Sequence, residues 1–129
     1  MTAGQILLYA LLALAVIIAV RRFLVKASVP QHTPARVAEM LASPAAPLLV
    51  DVRTEAERAQ SAIKGSLHIT LRELLRHPET LEKHRHREIV LYCQNGNRSL
   101  TAAAKLRKLG FHASSMKGGI AEWNFSRLR

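Results

Sequence analysis

The sequence predicts an α/β sandwich around a central parallel sheet, preceded by one transmembrane helix. Helical and strand patterns alternate from Thr33 onward, and the strand patterns are short, with apolar runs at 48–50 and 89–92 like those of strands buried on both faces. The third observation is the run Ile6 to Val20, fifteen residues without a charge, ten of them Ile, Leu or Val. Those ten favour bilayer insertion by roughly 3–6 kcal/mol. Fifteen residues give about 22 Å of helix against a hydrocarbon core of about 30 Å. Thr2 to Gln5 bring the length to about 28 Å. Arg21 and Arg22 snorkel, while Phe23, Leu24 and Val25 continue the apolar surface. A cleaved signal peptide is the rival reading. Against it, the n-region has no Lys or Arg and the positive charges follow the apolar run instead of preceding it.

Residues 1–26 therefore read as an anchor with a basic flank, 27–32 as a linker and 33–129 as a folded domain. Arg21, Arg22 and Lys26, with no basic residue before Ile6, place that domain in the cytoplasm by the positive-inside rule. Thr33-Pro34 is a helix N-cap followed by proline, opening a helix from Ala35 to Ala42 that Ser43 to Pro47 breaks. Leu48 to Val52 is a buried strand, and Thr54 to Gln60 a short helix. Leu67 to Ile69 is a strand, Leu71 to Arg76 a helix and Pro78 to Lys83 a helical turn. Ile89 to Tyr92 is the central strand. Ser99 to Leu109 is a helix capped by Gly110, with Leu100, Ala103, Ala104 and Leu106 facing inward. His112 to Met116 is the last strand, and a final turn carries Trp123 as a core plug.

The formal charge of +10 points to anionic partners: a small oxyanion, acidic headgroups or nucleic acid. Nucleic acid ranks lowest, because no binding motif is present and the cations are dispersed with few aromatics between them. His84 and His86, with His77, lie on a polar connector without a cysteine or carboxylate cluster, so no metal or other cofactor is implied. Cys93 is the sole cysteine, which excludes an intramolecular disulfide. A reducing compartment suits it.

The segment Cys93-Gln94-Asn95-Gly96-Asn97-Arg98-Ser99 follows the apolar strand and leads into the alanine-rich helix. Strand, Gly-containing loop and helix start would aim successive N–H groups at the Cys93 sulfur, with Arg98 beside it. A helix terminus stabilises a nearby anion by roughly 0.3–2 kcal/mol, which favours a thiolate. A lone cysteine ending a buried strand is otherwise a small hydrophobe.

Four stations carry a resemblance. They are Asp51-Val52-Arg53-Thr54-Glu55 with Glu57 behind it, Ile63-Lys64-Gly65-Ser66-Leu67-His68-Ile69, the Cys93 loop, and Gly118-Gly119-Ile120-Ala121-Glu122-Trp123. In this order and spacing, from about Thr33 to Trp123, the chain resembles the rhodanese family of sulfurtransferases. It departs from the family pattern at Ala62 and Lys64, where His and Pro are common. The resemblance implies a three-layer sandwich. It also implies that Cys93 takes sulfane sulfur from thiosulfate or a persulfide, becomes a persulfide, and passes the sulfur to a thiol or cyanide. Gln94, Asn95, Gly96, Asn97, Arg98 and Ser99 are then the substrate-binding residues, Arg98 holding the anionic donor. Asp51 and Arg53 are read as structural. Two other functions remain open. One is a sulfur carrier or docking module without turnover. The other is a phosphatase or arsenate reductase of related fold, although four residues between Cys93 and Arg98 are one fewer than a phosphate-cupping loop has. Oligomeric state is not legible.

Overall fold

A computed structural model describes residues 1–127; Leu128 and Arg129, the end of the expected domain, lie outside the described residues. Helix α1 runs unbroken over Ala3–Ala27 and opens on a reciprocal cap between Thr2 and Gln5. Its 25 residues measure about 37 Å, more than a bilayer core, and none of them is buried by the protein. It is the one helix among the described residues long and apolar enough to cross a membrane.

The folded part contains β1 (Gln31–His32), α2 (Pro34–Leu41), β2 (Leu48–Asp51), α3 (Glu55–Gln60), β3 (Leu67–His68) and α4 (Leu71–Arg76). A 3-10 helix, Pro78–His84, leads to β4 (Ile89–Tyr92), α5 (Asn97–Lys108), β5 (Ala113–Met116) and α6 (Gly119–Arg127). The five strands form one sheet in the order β1-β5-β4-β2-β3, parallel at every pairing. The expected α/β architecture with a parallel sheet is present.

Strand side chains alternate between two cores, as the period of two requires. Val50, Ile89, Leu91 and Cys93 face Leu74 of α4 and Ala102, Ala103 and Leu106 of α5. Leu49, Val90 and Tyr92 face Val37 of α2 and Ile120 and Trp123 of α6. Chain order runs outward from β2 to β3 on one side and from β4 to β5 on the other. The crevice at the carboxyl ends of β2 and β4 is thus the topological switch point, where α/β sheets place ligands. Cys93 stands there.

Three details differ from the sequence reading. The stretch read as a linker instead holds the last residue of α1, a buried Val29 and the edge strand β1. The N–H groups of Ser115 and Lys117 donate to the carbonyls of Pro30 and His32, at 3.0 and 2.9 Å. Two residues are too few to display alternation, so only the waiting edge of β5 defines them as a strand. Helix α5 begins two residues early, at Asn97, with Gly96 as its N-cap in the left-handed region (φ +98°). Its buried stripe is Ser99, Ala102, Ala103 and Leu106, with Leu100 and Ala104 only partly covered. Ser99 thus lies within the first turn of α5, buried and close to the sulfur.

Candidate active site

Cys93 follows the last residue of β4, fully buried. Its Sγ accepts from the Gly96 N–H at 3.1 Å, lies 3.6 Å from Ser99 Oγ and 3.9 Å from Asn95 Oδ1. Ser99 Oγ in turn lies 2.7 Å from Ser115 Oγ on β5. A hydroxyl has one proton, so when Ser99 donates to a thiolate, Ser115 donates to Ser99. Burial pushes the Cys93 thiol up, but the Ser99 hydroxyl and the N–H groups of Ser99, Asn95 and Gly96 outweigh it. The net result is a thiol held below its ordinary value. Ser99→Ala should therefore raise the pH at which iodoacetamide alkylates Cys93; an unchanged profile would leave Ser99 a packing residue only.

The loop is held from behind by α6. Ile120 and Ala121 donate their N–H groups to the carbonyls of Cys93 and Gln94, at 2.9 and 3.2 Å. These first-turn donors have no partner within their own helix, and the loop carbonyls satisfy them. Gly119 makes the approach possible: a Cβ there would stand 2.4 Å from the Cys93 carbonyl oxygen and 2.5 Å from that of Gln94. The Gly-Gly-x-x-x-Trp segment is therefore part of the site's geometry as well as its closing element.

Arg98 stands on the first turn of α5, and its guanidinium forks onto Glu57 of α3, with Nη1 and Nη2 at 2.8 and 2.7 Å from the two carboxylate oxygens. Sequence reasoning placed Arg98 beside the sulfur to meet a donor, and it left Glu57 without a role. The sequence signals for Glu57 were its place behind the Asp51 station and the capping box from Thr54 to Glu57 that opens α3, and neither names a partner. Its partner 41 residues away is visible only in the fold.

The paired Arg98 draws the Glu57 carboxyl down to about 2; partial burial opposes this, and the Thr54 cap assists it. A carboxyl depressed in the folded state stabilises the protein above its unfolded pKa, and that contribution fades as pH falls through the folded value. Wild type should therefore be more stable than Glu57→Gln at neutral pH. Melting temperatures should show the gap closing between pH 4.5 and about 2. A gap independent of pH would mean the ion pair contributes nothing.

Behind α3 lies a buried ionic knot. Asp51, at the end of β2, accepts from the Arg53 N–H at 2.9 Å, from Arg53 Nε and Nη2 at 3.1 and 3.0 Å, and from Arg58 and the Tyr92 hydroxyl at 3.2 Å each. Arg53 also donates to the carbonyls of Ser61 and Glu57, at 2.6 and 3.4 Å. Burial raises the Asp51 carboxyl, yet the Arg53 guanidinium and the other donors hold it below the usual range. The knot fastens both ends of α3 to the sheet, and α3 presents Glu57 to Arg98. Gln94 lies at the rim, its carbonyl tied to α6. Asn95, Gly96 and Asn97 line an open groove of about 590 Å³ with Gln31, Lys117 and Glu122. Asn95 Oδ1 accepts from the Asn97 N–H at 3.2 Å, which stiffens the turn.

Comparison with known proteins places this geometry. Residues 33–126 match the family described as Rhodanese-like domain. The chain is 36% identical over 77 residues to a sulfurtransferase of Allochromatium vinosum, covering 59% of this chain and 70% of that one. It is 32% identical over 97 residues to a tRNA sulfurtransferase of Desulfurococcus amylolyticus, covering 75% of this chain but only 19% of that protein's length. Among solved structures, a rhodanese-related protein from Thermoplasma volcanium superposes with a TM-score of 0.69 at 29% identity, over 75% of this chain and 92% of that one. The human single-domain sulfurtransferase superposes with a TM-score of 0.64 at 29% identity, over 76% and 97%.

Proposed function

Because the chain belongs to the rhodanese-like domain family, we propose that it is a sulfurtransferase in which Cys93 carries the sulfur. The observation that carries this reading is the sulfur's setting: a buried thiol facing the Gly96 N–H and the Ser99 hydroxyl, with its acidity increased. The Cys93 thiolate attacks the outer sulfur of thiosulfate or of a persulfide. The bond to the donor breaks, sulfite or a thiolate leaves with its electron pair, and Cys93 becomes a persulfide. The loop from Gln94 to Ser99 cradles the terminal sulfur. An acceptor thiolate or cyanide then takes that sulfur and returns the Cys93 thiolate. Arg98 rests on Glu57, whose carboxylate balances its charge, and meets an anionic donor by exchanging part of that contact for the donor's oxygens. The domain needs no group beyond its own residues for these steps.

The same proposal places α1 across a membrane, residues 1–26 as the anchor and the domain from Thr33 in the cytoplasm. Its length, composition and lack of buried residues support a span; Arg21, Arg22 and Lys26 support the orientation.

The experiment is a comparison of chemistries on one sample. Full-length protein treated with thiosulfate or a small persulfide should gain the mass of one sulfur atom on Cys93 and lose it to cyanide or a thiol. The same sample should hydrolyse an aryl phosphate no faster than buffer, because the loop between Cys93 and Arg98 is one residue too short to seat three phosphate oxygens. An adduct formed without turnover would favour a sulfur carrier. Aryl phosphate hydrolysis outpacing sulfur transfer would overturn the assignment.

A further inference from the structure

Away from the Cys93 loop, the last turns of α1 meet α5 and α4 in a second groove, of about 510 Å³. Arg21, Arg22 and Lys26 line it from α1, and Lys105 and Lys108 line it from α5. Five cations converge, no carboxylate lines the groove, and among the described residues none of the five is in an ion pair. Some arginines elsewhere on this surface find acids, Arg36 pairing with Glu39, Arg85 with Glu82 and Arg98 with Glu57. Between the cations lie Val25, Ala104 and the half-exposed Leu75. Such a groove is cationic with an apolar floor, and it lacks the aromatic platforms on which nucleic acid bases stack.

Its depth decides the occupant. Val20 ends the apolar run, and six helical residues from there to Lys26 rise about 9 Å. The headgroup layer beyond each face of the hydrocarbon core is about 5–8 Å thick. With α1 as a span, the groove therefore opens at the phosphates of the cytoplasmic leaflet. The geometry points to an anionic phospholipid as its ligand: the phosphate between the α1 and α5 cations, the glycerol end against Val25 and Leu75. A phosphate among five like charges would relieve their mutual repulsion and hold α5 to the anchor, with Arg21 and Arg22 offering forked donors and the lysines point charges. This inference rests on the span reading.

The test reconstitutes the full chain into lipid discs of phosphatidylcholine alone, or of three parts phosphatidylcholine to one part phosphatidylglycerol. Lysines are then acetylated with a water-soluble reagent and read by mass spectrometry. Lys26, Lys105 and Lys108 should react at least about threefold more slowly in the anionic discs, while Lys64, Lys83 and Lys117, outside the groove, stay unchanged. The double substitution Lys105→Gln and Lys108→Gln should remove the protection of Lys26 and leave sulfur transfer as in wild type. Equal reactivity in both discs, or equal protection of all six lysines, would overturn the groove as the lipid site. Inorganic phosphate giving the same protection in phosphatidylcholine discs would make it a site for a soluble anion instead. An RNA oligonucleotide competing at physiological salt would make it a nucleic acid site. Failure of the protein to enter either disc would overturn the span itself, and the headgroup proposal with it.

Discussion

Cys93→Ser is expected to abolish sulfur transfer, lowering turnover by on the order of a thousandfold or more, which corresponds to about 4 kcal/mol of barrier. Serine is nearly the same size, so the Gly96 N–H still finds an acceptor and the loop keeps its shape. What disappears is the ionisation: a hydroxyl is far less acidic than a thiol, and the cradle that suffices for Cys93 does not suffice for serine. No second cysteine exists to take over. The variant should therefore keep wild-type melting behaviour, accept no sulfur adduct from thiosulfate and show no burst. Sulfur transfer that survives the substitution would remove Cys93 from the reaction and with it the covalent mechanism.

Asp51→Ala is expected to have the largest effect on stability. Asp51 is wholly buried, Arg53 is 2% exposed, and among the described residues the carboxylate is the only acidic partner of that guanidinium. Removing the acid leaves a buried cation without a counter-charge, a change that costs about 3–5 kcal/mol. For a domain near one hundred residues this lowers the melting temperature by roughly 15–25 °C. The Tyr92 hydroxyl keeps Ser66 and the Ile63 N–H as partners, so the strand beneath should survive. Helix α3 should loosen first, because Arg53 ties its end through the carbonyls of Glu57 and Ser61. Sulfur transfer should then fall even at temperatures where the core is folded, since Glu57 no longer positions Arg98. A melting temperature within a few degrees of wild type would show that the knot is solvated and carries little of the fold. Asp51→Asn, which keeps the shape and loses the charge, should fall between wild type and alanine.

The two effects are related through one line of contacts. The knot at the end of β2 holds α3, α3 presents Glu57, Glu57 holds Arg98, and Arg98 belongs to the same helix start that frames the sulfur. A change at Asp51 thus reaches Cys93 without touching it.

Much of this was legible in the chain. Short strands alternating with capped helices pointed to a parallel sheet, and the apolar runs at 48–50 and 89–92 marked its centre, because a strand covered on both faces has no solvent side. The long apolar helix α1 was equally plain, since Ile6 to Val20 has no polar face with which to join a soluble core. The Cys93 loop was legible as well: a cysteine between a buried strand and a helix start, with Gly96 at the turn, determines where the sulfur sits relative to the N–H groups. Those are local properties, fixed by neighbours in sequence. Tertiary structure alone decided the partners. Gln31–His32 became a strand because β5 offered an edge, Arg98 turned to Glu57 because α3 passes within reach, and Ser115 came under Ser99 because β5 lies beside β4. Each of those contacts joins residues from separate elements, and backbone propensity carries no information about which distant side chain will complete a charge or a hydrogen bond. Local pattern drew every element but β1, together with the sulfur and its loop; the packing of the sheet added that edge strand and chose the groups that tune the thiol.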